Sequence, residues 1–169
     1  MLCEPREKRW GSKSPFLVVT IGIYIPPQPW SVGFYTGVKD MEGCPLNLLL
    51  SREQIASIVK DLADQISKDY REKELVLVCI LKGAFMFLSD LIRHLQIPVQ
   101  IDFVRLASYG TGMETSGRIE ITKDIEISIE GKDVLIIEDI IDSGRTLQFL
   151  RDRLSLSNPR SVKVCALLD

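Results

Sequence analysis

The segment 75–81, which reads L-V-L-V-C-I-L, constrains the fold most strongly because all of its side chains are apolar. A strand with one face in water alternates polar and apolar residues, so a continuous apolar run predicts a strand buried on both faces. Segments 134–137 and 162–168 have a similar character. Strands of this kind belong to parallel sheets that are covered by helices.

Helical patterns separate these strands. Ser51 and Gln54 form a capping-box pattern at the start of the first helix. Apolar residues then recur at helical spacing, at Ile55, Ile58, Val59, Leu62 and Ile66. A second helix is predicted over about residues 84–95 and a third over about 146–154, while Val99, Ile101 and Phe103 alternate like a strand. The pattern predicts an α/β fold whose central, mostly parallel sheet has helices on both faces, and in such a fold ligands bind beyond the carboxyl ends of the strands.

The stretch between the predicted strand at 99–103 and segment 134–137 lacks a clear period. Gly110, Gly112 and Gly117 indicate a polar, mobile loop. Two short alternating stretches, 119–121 and 125–129, flank Lys123-Asp124 and predict a small hairpin or flap.

Residues 1–45 contain scattered proline and glycine and show no sustained period, so they are predicted to form an irregular N-terminal extension to a domain at 46–169. The apolar run 16–25 is too short to span a bilayer. Glu4 and Glu7 lie where a signal peptide would be basic.

The four cysteines have no C-x-x-C spacing, which favours reduced thiols and a cytoplasmic protein.

Twenty-one basic and twenty-three acidic residues give a formal net charge of -2. Nothing in this overall balance favours nucleic acid or an anionic membrane surface as a partner. An anionic ligand would therefore need a local binding site.

The segment 134–147 carries the most specific chemical pattern, V-L-I-I-E-D-I-I-D-S-G-R-T-L. Glu138 and Asp139 end a buried strand, where their carboxylates can accept hydrogen bonds from the hydroxyls of a diol. The following turn, Asp142-Ser143-Gly144-Arg145-Thr146, leads into a helix whose N-terminus can surround a phosphate. Each feature alone is also typical of simple strand ends and helix caps, but the combination fits a ribose 5-phosphate.

The sequence E-D-I-I-D-S-G-R-T closely resembles the 5-phosphoribosyl-1-diphosphate motif of type I phosphoribosyltransferases. The resemblance covers about residues 49–169. The two consecutive isoleucines of the motif are similar to the form that the purine-salvage branch of the family has. Leu81-Lys82-Gly83 resembles the pyrophosphate loop of that family, and Ser108-Tyr109-Gly110 resembles the start of its flexible lid.

The resemblance implies a role for each part of this constellation. Glu138 and Asp139 would engage the ribose hydroxyls, with magnesium (Mg²⁺) nearby, and Asp142, Ser143, Gly144, Arg145 and Thr146 would hold the 5-phosphate. Asp142 would also act as general base or acid near N7 of the purine. A non-proline cis peptide bond is implied between Leu81 and Lys82. Arg145 stands where the family often has lysine.

The implied activity is a magnesium-dependent transfer of the phosphoribosyl group from phosphoribosyl diphosphate to hypoxanthine or guanine, giving IMP or GMP and pyrophosphate. Family members are commonly homodimers or homotetramers. The family continues beyond Asp169 with a purine-reading lysine, an aromatic residue and an aspartate, so the choice of purine rests here on resemblance alone.

Other readings remain open at this point. A nucleotide-binding regulator with the same fold, or an inactive fragment, would share these motifs. Dehydrogenases and P-loop enzymes share the alternation of strands and helices, but the chain has no G-x-G-x-x-G after the first strand and no G-x-x-x-x-G-K-[ST].

Overall fold

The computed structural model describes residues 7–8, 18–19, 50–109 and 118–168, with side chains described over 50–107 and 119–168. Its elements in chain order are β1 (Glu7–Lys8), β2 (Val18–Val19), α1 (Arg52–Asp69), β3 (Leu75–Leu81), α2 (Phe85–His94), β4 (Val99–Tyr109), β5 (Arg118–Lys123), β6 (Asp133–Ile140), α3 (Arg145–Ser155) and β7 (Ser161–Leu168). Within these ranges, no helix is both long and apolar enough to cross a membrane.

The strands form one sheet in the order β1-β2-β7-β6-β3-β4-β5. The four strands β7, β6, β3 and β4 are parallel to one another, and β5 pairs antiparallel with β4. The two-residue strands β1 and β2 extend the sheet beyond β7, and the rest of the predicted 1–45 extension lies outside the described residues. The predicted α/β fold is confirmed.

Helices cover both faces of the sheet, as the apolar strands predicted. Alternate residues of β3 belong to different cores: Leu77 packs with α1 and α2 on one face, and Val78 packs with α3 on the other. Both side chains are fully buried. The seven residues of β3 thus stabilise two apolar cores at once, which explains why the run has no polar position.

The predicted helices are confirmed within one to three residues of their ends. The Ser51 hydroxyl accepts a hydrogen bond from the backbone N–H of Gln54 at 3.2 Å, and the Gln54 side chain accepts one from the backbone N–H of Ser51 at 2.7 Å. This reciprocal pair is the capping box that the sequence indicated.

The hairpin predicted between 119–121 and 125–129 is wrong. β5 pairs with β4 instead, and residues 124–130 contain no strand. The reason is Asp102, whose buried Oδ2 accepts hydrogen bonds from the backbone N–H groups of both Glu126 and Ile127. In a β-strand, the backbone N–H groups of consecutive residues point in opposite directions. Two consecutive N–H groups that donate to one carboxylate therefore cannot belong to a regular β-ladder. Segment 124–130 is therefore a loop, with Ile129 buried below it.

Asp102 is 6% exposed, although it lies on β4 between apolar residues. Burial acts to raise the pKa of its carboxyl, but the backbone N–H groups of Ile127, Glu126 and Phe103, together with the Lys123 ammonium, outweigh burial and lower the pKa. Asp102 is therefore charged in the folded protein and anchors the 124–130 loop to the sheet.

We expect Asp102→Asn to lower the free energy of unfolding by about 1–3 kcal/mol at pH 7, because a buried, multiply bonded acceptor loses its charge. Since the folded pKa is depressed, this stabilisation is present above the unfolded pKa, about 3.9, and is lost as pH falls through the folded value. Urea unfolding at pH 7 and pH 3 measures the difference, with the exposed Asp90→Asn as matched control. If Asp102→Asn and Asp90→Asn lost the same free energy of unfolding, Asp102 would not anchor the 124–130 loop.

Candidate active site

The strand register brings the ends of β3, β6 and β7 to one edge of the sheet. Cys79 of β3 aligns with Ile137 of β6, which aligns with Cys165 of β7. Just beyond β6, the backbone N–H of Ile141 donates to the carbonyl of Leu168 at 3.0 Å. The segments that follow β3 and β6 therefore lie side by side, although more than fifty residues separate them in sequence.

Gly83 lies against the carboxylate of Asp139. A Cβ atom at position 83 would lie 2.7 Å from Oδ2 and 3.1 Å from Oδ1 of Asp139. Real Cβ atoms essentially never approach another atom as closely as 2.7 Å. A side chain at position 83 would have to displace the Asp139 carboxylate, so the Lys82-Gly83 turn and the β6 carboxylate lie in close contact. The peptide bond between Leu81 and Lys82 is cis, as the resemblance implied.

Glu138 and Asp139 lie near the end of β6 as two consecutive half-buried carboxylates. The backbone N–H of Asp139 donates to Glu138 Oε1 at 3.1 Å, and that of Ile140 donates to Asp139 Oδ1 at 3.0 Å. Burial, followed by the hydrogen bond with Asp139 and its negative charge, raises the pKa of Glu138 to about 8. A nearby cation or hydroxyl donor would favour the charged form of Glu138 and lower that pKa.

The turn after β6 leads directly into α3. Gly144 has φ 69°, a left-handed conformation that glycine adopts without steric cost, and it is the N-cap residue of α3. No side chain caps this helix, so side chains leave the N–H groups of its first turn free. Residues 142, 143, 145 and 146 are exposed. An uncapped, accessible helix N-terminus of this kind can bind an anionic group.

The carboxylates fit a magnesium ion that arrives with its substrate. Among the described residues, no group of three or more His, Cys, Asp or Glu side chains could hold a metal by itself. Mg²⁺ is usually held by one or two carboxylates together with water and phosphate oxygens. Glu138 and Asp139 provide the first part of such a set, and a phosphorylated ligand would provide the rest.

The structure brings together three of the predicted groups: Leu81-Lys82-Gly83, the carboxylates Glu138 and Asp139, and the turn from Asp142 to Thr146. Ser108 and Tyr109 end β4, where their backbones pair with β5. Their side chains, and the whole of Gly110, lie outside the described residues. Sequence reasoning missed Arg105, which aligns with Leu81 across β3 and β4. No local motif contains both residues, so only the strand pairing reveals their proximity.

A family model described as "Phosphoribosyl transferase domain" matches residues 47–169. The chain belongs to the phosphoribosyltransferase family.

Curated relatives within this family carry more specific names. The chain is 46% identical over 122 residues to a hypoxanthine-guanine phosphoribosyltransferase of Streptococcus thermophilus, covering 72% of this phosphoribosyltransferase and 68% of that protein. It is 46% identical over 127 residues to a hypoxanthine phosphoribosyltransferase of Haemophilus influenzae, covering 73% and 71% of the two chains. The crystal structure of a hypoxanthine phosphoribosyltransferase from Staphylococcus aureus is similar, with a TM-score of 0.69, 46% identity, and coverage of 73% and 67%.

We expect Gly83→Ala to lower the free energy of unfolding by about 1–3 kcal/mol, because the new methyl group must displace the Asp139 carboxylate. The same substitution in an Asp139→Ala background should cost markedly less, since the colliding atoms are gone. A double-mutant cycle from urea unfolding measures this coupling. A cost of Gly83→Ala that is independent of residue 139 would contradict the contact.

The raised pKa of Glu138 predicts a loss of stability as pH rises from the unfolded value, about 4.3, to the folded value of about 8. A folded pKa near 8, above the unfolded value, contributes stability that is complete at low pH and disappears as pH rises through the folded pKa. Between about pH 5 and 8, the free energy of unfolding of the wild type should fall relative to that of Glu138→Gln, by at most about 1.4 kcal/mol per pH unit for one proton, and the difference should level off above the folded pKa. If the free energies of unfolding of the two proteins changed with pH in parallel, the pKa of Glu138 would not be raised.

Proposed function

We propose that this phosphoribosyltransferase acts in purine salvage, transferring the 5-phosphoribosyl group of phosphoribosyl diphosphate to hypoxanthine or guanine to form IMP or GMP and pyrophosphate. The observation that carries the proposal is the meeting of the Glu138-Asp139 carboxylates, the uncapped N-terminus of α3 and the Gly83 turn at one sheet edge. Relatives with the names given above, at 46% identity, support the choice of 6-oxopurines.

In the proposed complex, the turn from Asp142 to Thr146 binds the 5-phosphate through backbone N–H groups and the hydroxyls of Ser143 and Thr146. Glu138 and Asp139 accept hydrogen bonds from the ribose hydroxyls. Lys82 and Gly83 bind the pyrophosphate group on the other side of Asp139. A substrate with a phosphate, a diol and a second phosphate group would then contact all three segments in that spatial order.

The transfer replaces one bond to the anomeric carbon with another. A purine ring nitrogen forms a bond to C1 of the ribose while the C1–O bond to pyrophosphate breaks, and the electron pair of that bond leaves with pyrophosphate. The carboxylate of Asp142 accepts the proton that the purine loses, which is a general-base role. The negative charge of Asp139, together with that of Glu138 once it is ionised, stabilises the positive charge that develops on the sugar.

Glu138 and Asp139 are also the residues proposed to hold Mg²⁺. When bound, the ion would neutralise the charge of the departing pyrophosphate. Ionisation of Glu138 would accompany its binding, because a metal ligand must be deprotonated. Phosphoribosyl diphosphate and a purine base are the proposed binding partners, and a homodimer or homotetramer in the cytoplasm is the proposed working form.

The proposed role of Asp142 can be tested by measuring IMP formation from hypoxanthine. Asp142→Asn should lower kcat by about 10²- to 10⁴-fold, the usual contribution of a general base, while the KM for phosphoribosyl diphosphate changes little. Asp61→Asn, an exposed carboxylate on α1, is the matched control and should keep full activity. An unchanged kcat in Asp142→Asn would remove this residue from the mechanism.

The binding step can be measured separately by calorimetric titration with phosphoribosyl diphosphate and magnesium. We expect saturable, magnesium-dependent binding to the wild type, weakened at least tenfold in Asp139→Ala by loss of charged hydrogen bonds. Binding without turnover in the folded wild type would favour a nucleotide-binding regulator instead. Absence of binding would contradict the proposed function as a whole.

A further inference from the structure

Arg105 lies on β4 beside the Lys82-Gly83 turn. In the parallel pairing of β3 with β4, its Cα is the partner of Leu81, the last residue before that turn. Neighbouring strands are about 4.8 Å apart, so the arginine side chain is long enough to reach the backbone beyond Leu81. Arg105 therefore belongs to the same sheet edge as the carboxylates and the glycine turn.

The alternation of β4 defines the face from which Arg105 projects. Val104 is fully buried in the core beneath α3, and Leu106 packs against that same core. Because successive side chains of a strand point to opposite faces, Arg105 projects from the other face, where α2 packs. The α2 helix begins at Phe85, directly after the turn, and no side chain caps its N-terminus.

The guanidinium of Arg105 has no partner among the described residues. No carboxylate there forms an ion pair with it, and the side chain is exposed. Lys123, its Cα partner on β5, is already engaged with Asp102 and Glu126. The strand register shifts between Arg105 and Leu106 because β5 has one extra residue there, Thr122, so β4 itself keeps its regular alternation.

We propose that Arg105 binds the pyrophosphate group of the substrate, together with Lys82 and the N-terminus of α2. The inference rests on the proposed function and adds to it a residue that no local motif indicates. The turn alone contributes one ammonium group, whereas magnesium-bound pyrophosphate carries several oxygens that accept hydrogen bonds. A planar guanidinium from the neighbouring strand can bind two of them at once.

Calorimetric titration with magnesium pyrophosphate, and separately with ribose 5-phosphate, tests this assignment. Arg105→Gln should weaken pyrophosphate binding about tenfold, as expected for loss of a charge-assisted hydrogen bond, and should change ribose 5-phosphate binding less than about twofold. Arg105→Lys should recover part of the lost affinity, because lysine keeps the positive charge but lacks the planar guanidinium that can bind two oxygens at once. Arg93→Gln, which removes an exposed arginine from the far end of α2, is the matched control.

The outcomes separate the inference from the function on which it rests. Equal weakening of both ligands, or the same loss in Arg93→Gln, would show that Arg105 acts only through general charge or folding and would overturn the assignment. Unchanged pyrophosphate binding in Arg105→Gln would also overturn it and leave the proposed function intact. A folded wild type that binds neither ligand would overturn both. Circular dichroism of each variant confirms folding.

Discussion

The structure depends on the burial of both faces of its central parallel sheet. Strands covered on both sides leave no surface for polar side chains, and an unpaired polar group inside would cost several kcal/mol. The two buried charged residues among those described, Asp102 and Asp133, accordingly have hydrogen-bond and ion-pair partners. Polar groups that are free to meet a ligand are therefore concentrated where the strands end, which is why the candidate chemistry is found at the carboxyl edge.

Strand order then determines which residues meet at that edge. Because β3 lies between β4 and β6, the turn after Leu81 has Arg105 on one side and Asp139 on the other. The lack of a side chain at Gly83 allows the approach on the Asp139 side. Three segments that are distant in sequence thus form one surface, and their relative positions depend on the register of two strand pairs.

Periodicity predicted most of the elements correctly but not their contacts. The apolar run 75–81, the capping box at Ser51 and the strand at 162–168 all predicted the correct elements, because each is a local consequence of burial or backbone hydrogen bonding. The hairpin prediction failed because an alternating stretch resembles a strand even where a distant carboxylate, Asp102, takes its N–H groups.

Asp139 links the two halves of the candidate site. Its carboxylate lies against Gly83 and at the same time helps to raise the pKa of its neighbour Glu138, after the larger effect of burial. A substitution at position 139 therefore changes both the space available to the turn after β3 and the protonation of Glu138. Because a cation bound at the carboxylates would favour the charged form of Glu138, its binding is thermodynamically linked to release of a proton. In the proposed complex, metal binding, proton release and the position of the Gly83 turn would therefore be coupled through one carboxylate, whose location is determined by the pairing of β3 with β6.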